Sequence, residues 1–211
     1  PWIDRVPAVL EAWFSGSEAG NALADVVFGA VNPSGKLPFT FPVRLEDNGA
    51  HALGEYPGAD KVKYNESIFV GYRWHDKEQL KPLFAFGHGL SYTAFAVGNV
   101  KADRTTLAPN GSIRISADVT NTGDRAGAEV VQLYIGDEQS SLPRPVKELK
   151  GFQKVSLNPG QTRTVTFEIT PGMLQYYDDA KGAWVAEPGA FTAYVGAASD
   201  DIRGTVEFEL K

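Results

Sequence analysis

The sequence predicts an α/β remnant followed by an all-β sandwich. One helix-period stretch with a short apolar run before it marks the first part. Beyond about residue 96, apolar and polar residues alternate in several short segments, and Pro/Gly turn signals separate them every ten or so residues. The division expected from this change of pattern is 1–95 for the first part and 96–211 for the sandwich.

In the first part, Ala8 to Phe14 ("AVLEAWF") is a short apolar run suited to a buried strand. Ala19, Ala22, Leu23, Val26 and Val27 then recur at three- and four-residue spacing, one face of a helix. Ser17 stands as its expected N-cap and Gly29 as its C-terminal stop. "NPSG" (Asn32 to Gly35) reads as a turn into "KLPFTFP". One strand and one helix cannot bury each other's faces, so this piece reads as the end of a larger α/β domain. Residues 43–64 carry Gly49, Gly54, Pro57 and Gly58 and form a long loop, a length often associated with function. "SIFVGYRW" follows with strand character. "PLFAFGHGLSYTAF" (residues 82–95) crowds rings and glycines together with neither a helical nor a strand period, as a packed turn would.

In the second part, Ile113, Ile115, Ala117 and Val119 alternate with polar residues. So do Val165, Phe167 and Ile169, then Phe191, Ala193 and Val195, and finally Val206, Phe208 and Leu210. "EVVQLYIG" is apolar on both faces. "APNG", "NTGD", "NPGQ", "TPGM" and "EPGA" supply the turns, and about 115 residues suits one antiparallel sandwich.

Composition bounds the function. The chain has 211 residues and a net charge of −6. Residues 1–95 hold 8 basic and 11 acidic side chains, and residues 96–211 hold 12 and 15, so both parts are mildly acidic. No basic block exists, which argues against nucleic acid and anionic membrane as partners. No run of 18 apolar residues is present to span a bilayer. With no cysteine, disulfides, thiol catalysis and zinc–thiolate sites are excluded. Met173 is the only methionine and the chain opens Pro1-Trp2, so it reads as a fragment and the lack of a leader is uninformative.

Few groups suggest chemistry. His51, His75 and His88 lack metal-ligand spacing, and no metal or cofactor site is expected. No GxSxG, P-loop or GxGxxG motif occurs. The pairs Glu46-Asp47, Asp178-Asp179 and Asp200-Asp201 read as solvated turns. Glu66, opening "YNESIFVGYRW", is the one carboxylate weighed as catalytic, and an ion pair with Arg73 or a nearby lysine is favoured over that role. Trp2, Trp13, Trp74 and Trp184 could stack on sugar rings, with core packing as the plainer expectation.

Three blocks in order, "PWIDRVPAVLEAWFSGSEAGNALADVVFGAVNPSGKLPFTFP", "YNESIFVGYRW" and "PLFAFGHGLSYTAF", resemble glycoside hydrolase family 3, the β-glucosidases and their relatives. "VTNTGDRAGAEVVQLYIGD", "RPVKELKGFQKV", "LNPGQTRTVTFEI" and "WVAEPGAFTAYVGAASDDIR" resemble that family's C-terminal fibronectin type III-like (immunoglobulin-like) domain. The resemblance implies a barrel and the start of the α/β domain upstream, in the N-terminal part of the same enzyme, which would be this chain's partner. It implies a retaining, exo-acting enzyme with two carboxylates. Neither carboxylate maps onto this chain, and Glu66 matches a different block. The ring-rich stretch then becomes a seam, with Phe84, Phe86, Tyr92 and Phe95 filling it and Gly87 and Gly89 turning the chain. Ser67 stands where the family commonly has glycine, and His88 where an aromatic is common.

The resemblance leads to the C-terminal part of a β-glucosidase acting on terminal β-D-glucosyl residues, with a homodimer admitted. A β-xylosidase, arabinofuranosidase or N-acetylglucosaminidase remains open within the family, because substrate choice lies mainly in the barrel. Outside it stand a free carbohydrate-binding or adhesion module and a structural spacer. The expected setting is periplasmic or extracellular, with a bacterial cytoplasm as the alternative.

Overall fold

A computed structural model describes residues 2–211; Pro1, where the first family-like block begins, lies outside them. In the first part, helix α1 (Ala19–Val27) is preceded by a turn of 3-10 helix at Gly16–Glu18. α1 is capped by Glu18 without a side-chain bond, so Ser17 is not its N-cap: the 3-10 turn moves the helix start past it. Gly29, with φ at 79°, closes the helix by donating to Val26 O, a conformation that suits a residue lacking Cβ. The apolar run Ala8 to Phe14 does not form the expected buried strand. It is exposed throughout, because a strand needs an edge to pair with and no described strand lies beside it.

Within the predicted loop, a 3-10 turn (Leu45–Asp47) and a short helix α2 (Gly49–Ala52) give local order. The Asn48 side chain caps α2 by accepting from Ala50 N. The "SIFVGYRW" strand is also overturned. Gly71, at φ 61°, redirects the chain, and Tyr72–Lys77 coil into helix α3. Ser67 adopts φ 54°, which explains why a glycine suits that position.

Ten strands follow: β1 (Phe95–Ala102), β2 (Thr106–Leu107), β3 (Ile113–Asn121), β4 (Gly127–Asp137), β5 (Glu148–Leu157), β6 (Thr162–Ile169), β7 (Tyr176–Asp178), β8 (Ala183–Val185), β9 (Gly189–Ala198) and β10 (Asp201–Leu210). One sheet has the order β1-β3-β6, the other β2-β10-β9-β4-β5, and β7-β8 is a separate ribbon. All pairings are antiparallel except β10 with β2. The alternating residues face one core: Ile113, Ile115, Val119, Val165, Phe167, Ile169, Phe191, Val195, Phe208 and Leu210 are buried together. Val206 is only partly buried against that core. β4 is buried on both faces from Val131 to Gly136, as its unbroken apolar run suggested. The "TPGM" turn is instead a short helix, α4 (Pro171–Leu174), because proline fits the first helical position.

Candidate functional site

The first part meets the sandwich on the outer face of β4. Tyr134 is buried there, and the Tyr72 ring lies between it (5.7 Å, edge-on) and Phe86 (5.1 Å). Tyr134 donates its hydroxyl to Gln132 Oε1, and Gln132 Nε2 donates to Gly87 O at 3.2 Å and to Ala197 O at 2.6 Å. Burial pushes the Tyr134 hydroxyl well up, so it stays protonated and a donor. Gly87 sits at φ 82°, and a Cβ there would fall 2.3 Å from Gln132 Oε1. A Cβ on Gly89 would lie 2.1 Å from Gly35 O. These two glycines therefore permit an approach of backbone that no other residue could make. Of the seam rings, Phe84, Phe86 and Phe95 are half-buried, while Tyr92 is exposed and donates to Val26 O. His88 stacks on Phe84 at 5.4 Å, doing the packing of an aromatic.

Asn32 of the "NPSG" turn ties three segments. Its Nδ2 donates to Ala126 O, and its Oδ1 accepts from Ser91 Oγ and Tyr92 N. Buried Asn121 does the same on the sandwich side, donating to Arg125 O and Leu157 O and accepting from Thr93 Oγ1. A cavity of about 290 Å³ opens at this seam between Lys36, His88, Thr93, Glu129 and Arg203. Its charges are spent internally: Lys36 pairs with Glu129 at 2.7 Å and Arg203 with Asp201 at 2.5 Å.

The sequence did not single out a second cluster, in which charged residues between 137 and 150 meet Arg73 and Asp76 from more than 70 positions away along the chain. The Arg144 side chain is 7% exposed and pairs with both Asp137 (2.9 Å) and Glu148 while donating to Leu174 O. Arg73 reaches the same Glu148 at 3.3 Å, Lys150 approaches it at 3.4 Å, and Lys147 pairs with Asp76 of α3 at 2.6 Å. Burial pushes the Glu148 carboxyl up, but Lys150, Arg144 and Arg73 outweigh it and hold the group below its ordinary range. The Lys150 ammonium is pushed down, burial exceeding what Glu148 returns.

The candidate catalytic groups are not brought together. The expected Glu66–Arg73 ion pair does not form, since Arg73 is drawn to Glu148 on β5. Glu66 instead keeps one carboxylate oxygen buried and unpartnered. Asp47 is buried and held below the usual carboxylate range by the Arg44 side chain. Asp178 is held low by Lys181, and its carboxylate accepts from the backbone N–H groups of Ala180 and Lys181. Among the described residues, no group of histidines and carboxylates is disposed to hold a metal ion. The tryptophans do not converge either: Trp13 packs edge-on to Phe39 at 5.3 Å, Trp74 is buried, and Trp184 packs on Tyr177 at 5.7 Å.

Comparison with known proteins gives this geometry a context. Residues 1–92 match the glycosyl hydrolase family 3 C-terminal domain, and residues 129–199 match the fibronectin type III-like domain. A β-glucosidase of Bacteroides ovatus is 52% identical over 99% of this chain, which covers 28% of that protein. The thermostable β-glucosidase B of Acetivibrio thermocellus is 49% identical over 96% of the chain and 27% of its own length. The crystal structure of a Streptomyces venezuelae β-glucosidase in complex with D-glucose superposes with a TM-score of 0.93 at 40% identity, over 100% of this chain and 27% of that one. The chain thus spans between a quarter and a third of these relatives.

Proposed function

The chain belongs to glycoside hydrolase family 3, and from that premise we propose that it serves as the C-terminal part of a retaining, exo-acting β-glucosidase. The observation that carries this reading is the match along nearly all of the chain to β-glucosidases about four times its length. In it, residues 1–95 complete an α/β domain and residues 96–211 form the fibronectin-like domain. The two carboxylates of a retaining mechanism, nucleophile and acid/base about 5 Å apart, sit in the remainder of the enzyme. This chain contributes scaffold, and its substrate is a β-glucoside or a short oligosaccharide.

The distribution of apolar surface supports that role. Most large apolar side chains of the sandwich strands are buried, Phe152 and Trp184 being exposed exceptions, whereas Leu10, Trp13, Phe14, Val27 and Phe28 of the first part all stand exposed, Phe14 fully and Phe28 at 86%. An apolar face of this extent is an interface awaiting its partner. A free-standing carbohydrate-binding module would have no use for it.

Aryl β-glucoside hydrolysis tests the reading. The isolated chain is expected to show none above buffer, and the chain joined to the portion that precedes it in the enzyme should hydrolyse the substrate. Hydrolysis by the isolated chain, abolished by Glu66→Gln, would overturn it and make Glu66 catalytic.

A further inference from the structure

The charged cluster at the start of β5 does not close its charge balance. Four cations, Arg73, Arg144, Lys147 and Lys150, meet three carboxylates, Asp76, Asp137 and Glu148. Lys147 and Asp76 satisfy each other at 2.6 Å, and Arg144 is committed to Asp137, Glu148 and Leu174 O. The excess falls on Arg73 and Lys150. They share Glu148 at 3.3 Å and 3.4 Å, both longer than a charge-assisted hydrogen bond.

The backbone brings Lys150 here by a local irregularity. Leu133 of β4 pairs with Gly151 and Tyr134 with Leu149, so Lys150 is the extra residue of a β-bulge, a device that re-aims a side chain. Unpaired cations on open surface, such as Lys154 on the same strand, are hydrated and need no partner. Lys150 is in a different position, with its side chain 17% exposed. Burial pushes its ammonium down, Glu148 draws it back, and Arg144 and Arg73 add to the lowering.

The hydrogen-bonding groups left over at this place are donors. Arg73 meets Glu148 through Nη2, and its Nε and Nη1 have no acceptor among the described residues. The Lys150 ammonium has three hydrogens and one carboxylate oxygen in reach. Tyr72 Oη accepts from Leu149 N at 2.9 Å, which leaves its own hydrogen to donate. Tyr72 and Arg73 adjoin on α3, and Leu149 stands between Glu148 and Lys150, so these contacts join all three donors around one short stretch of β5.

We propose that Arg73, Lys150 and Tyr72 form a binding site for a small inorganic oxyanion of the phosphate class. An ion with several acceptor oxygens can engage a guanidinium, an ammonium and a hydroxyl at once, which a single-centre chloride does less well. Its charge offsets the cationic excess, and the three cations around Glu148 screen it from that carboxylate. Size is set by access: Lys150 and Glu148 lie recessed, and Arg73, 34% exposed, is the member that reaches solvent. The site lies wholly within this chain and stands apart from the β-glucosidase reading.

The intact enzyme supplies the test, followed by tryptophan fluorescence so that the readout is independent of substrate. Irreversible thermal unfolding is compared in inorganic phosphate, up to roughly 100 mM, and in chloride of equal ionic strength. Phosphate at about ten times its dissociation constant should slow wild-type unfolding about tenfold relative to chloride. Lys154→Met should keep that gain, whereas Lys150→Met and Arg73→Met should each cut it below about twofold. Equal gains in all four proteins would assign the effect to phosphate strengthening burial at large and overturn the site, as would no gain in the wild type. A crystal structure of the intact enzyme in phosphate should show the ion at hydrogen-bond distance from Arg73, Lys150 and Tyr72. An ion there without the effect on unfolding is an adventitious ion only and overturns the proposal. A carboxylate from the remainder of the enzyme in that place overturns it too.

Discussion

Replacing Arg144 by alanine should be among the most damaging single changes to this chain. The guanidinium holds Asp137 and Glu148, whose side chains are 6% and 15% exposed. Glu148 would retain Lys150 and Arg73, but Asp137 has no other ion-pair partner among the described residues. Removing one member of a buried ion pair costs about 3–5 kcal/mol, since the other charge stays buried and uncompensated. With the cushioning at Glu148, a loss of about 3–4 kcal/mol is expected against a total stability of roughly 5–15 kcal/mol. Arg144→Lys keeps the charge but not the fork that reaches both carboxylates and Leu174 O, so about half of that loss should remain. The assay is equilibrium urea unfolding of the full chain, followed by tryptophan fluorescence. The pH dependence adds a second check. Glu148 binds its proton less readily in the folded state than in the unfolded one, so its stabilisation is present above its unfolded pKa of about 4.5 and disappears as pH falls through the folded value. The gap between wild type and Arg144→Ala should therefore narrow between pH 7 and pH 3.5. A variant within about 0.5 kcal/mol of wild type at pH 7, or a gap unchanged at low pH, would refute the reasoning.

Two further outcomes are expected. Residues 96–211 should fold alone, and Phe167→Asp should abolish that folding, because an unpaired charge in the core costs several kcal/mol; cooperative melting within a few degrees of wild type would contradict the inward position of Phe167. Deleting Gly49 to Gly58 from the intact enzyme should change affinity or substrate-length preference on glucosides and longer oligosaccharides, and unchanged kinetics would reduce the segment to a spacer.

The sandwich was legible in the sequence because a half-buried strand writes its own environment. Ile113 to Val119 and Val165 to Ile169 alternate, since one face meets the core and the other water, and no knowledge of partners is required. The first part was less legible because its structure depends on partners remote in the chain. The run at Ala8 to Phe14 has strand composition but no edge beside it. "SIFVGYRW" is rich in β-formers, yet Gly71 turns it and Tyr72 finds its place between Phe86 and Tyr134, which no local pattern announces. The Arg73 partner was misjudged for the same reason, as Glu148 lies 75 positions away. A signal for the Arg144 cluster did exist: "RPVKELK" sets three cations and one acid in seven residues, too dense for a plain edge strand.

How firmly the two parts are joined bears on what the sandwich can do for an enzyme. Among the polar ties that cross the seam, six are Asn32 to Ala126, Lys36 to Glu129, Tyr72 to Leu149, Asp76 to Lys147, Gly87 to Gln132 and Phe86 to Ser199. Opening the seam exchanges each for water at a net cost of about 0.5–1.5 kcal/mol, roughly 3–9 kcal/mol together before any ring packing is lost. At about 1.4 kcal/mol per factor of ten, an opened arrangement would hold fewer than about one molecule in a hundred. The seam is therefore a fixed joint. Asp76 and Tyr72 both belong to α3, so the sandwich holds that helix in place through Lys147 and Leu149.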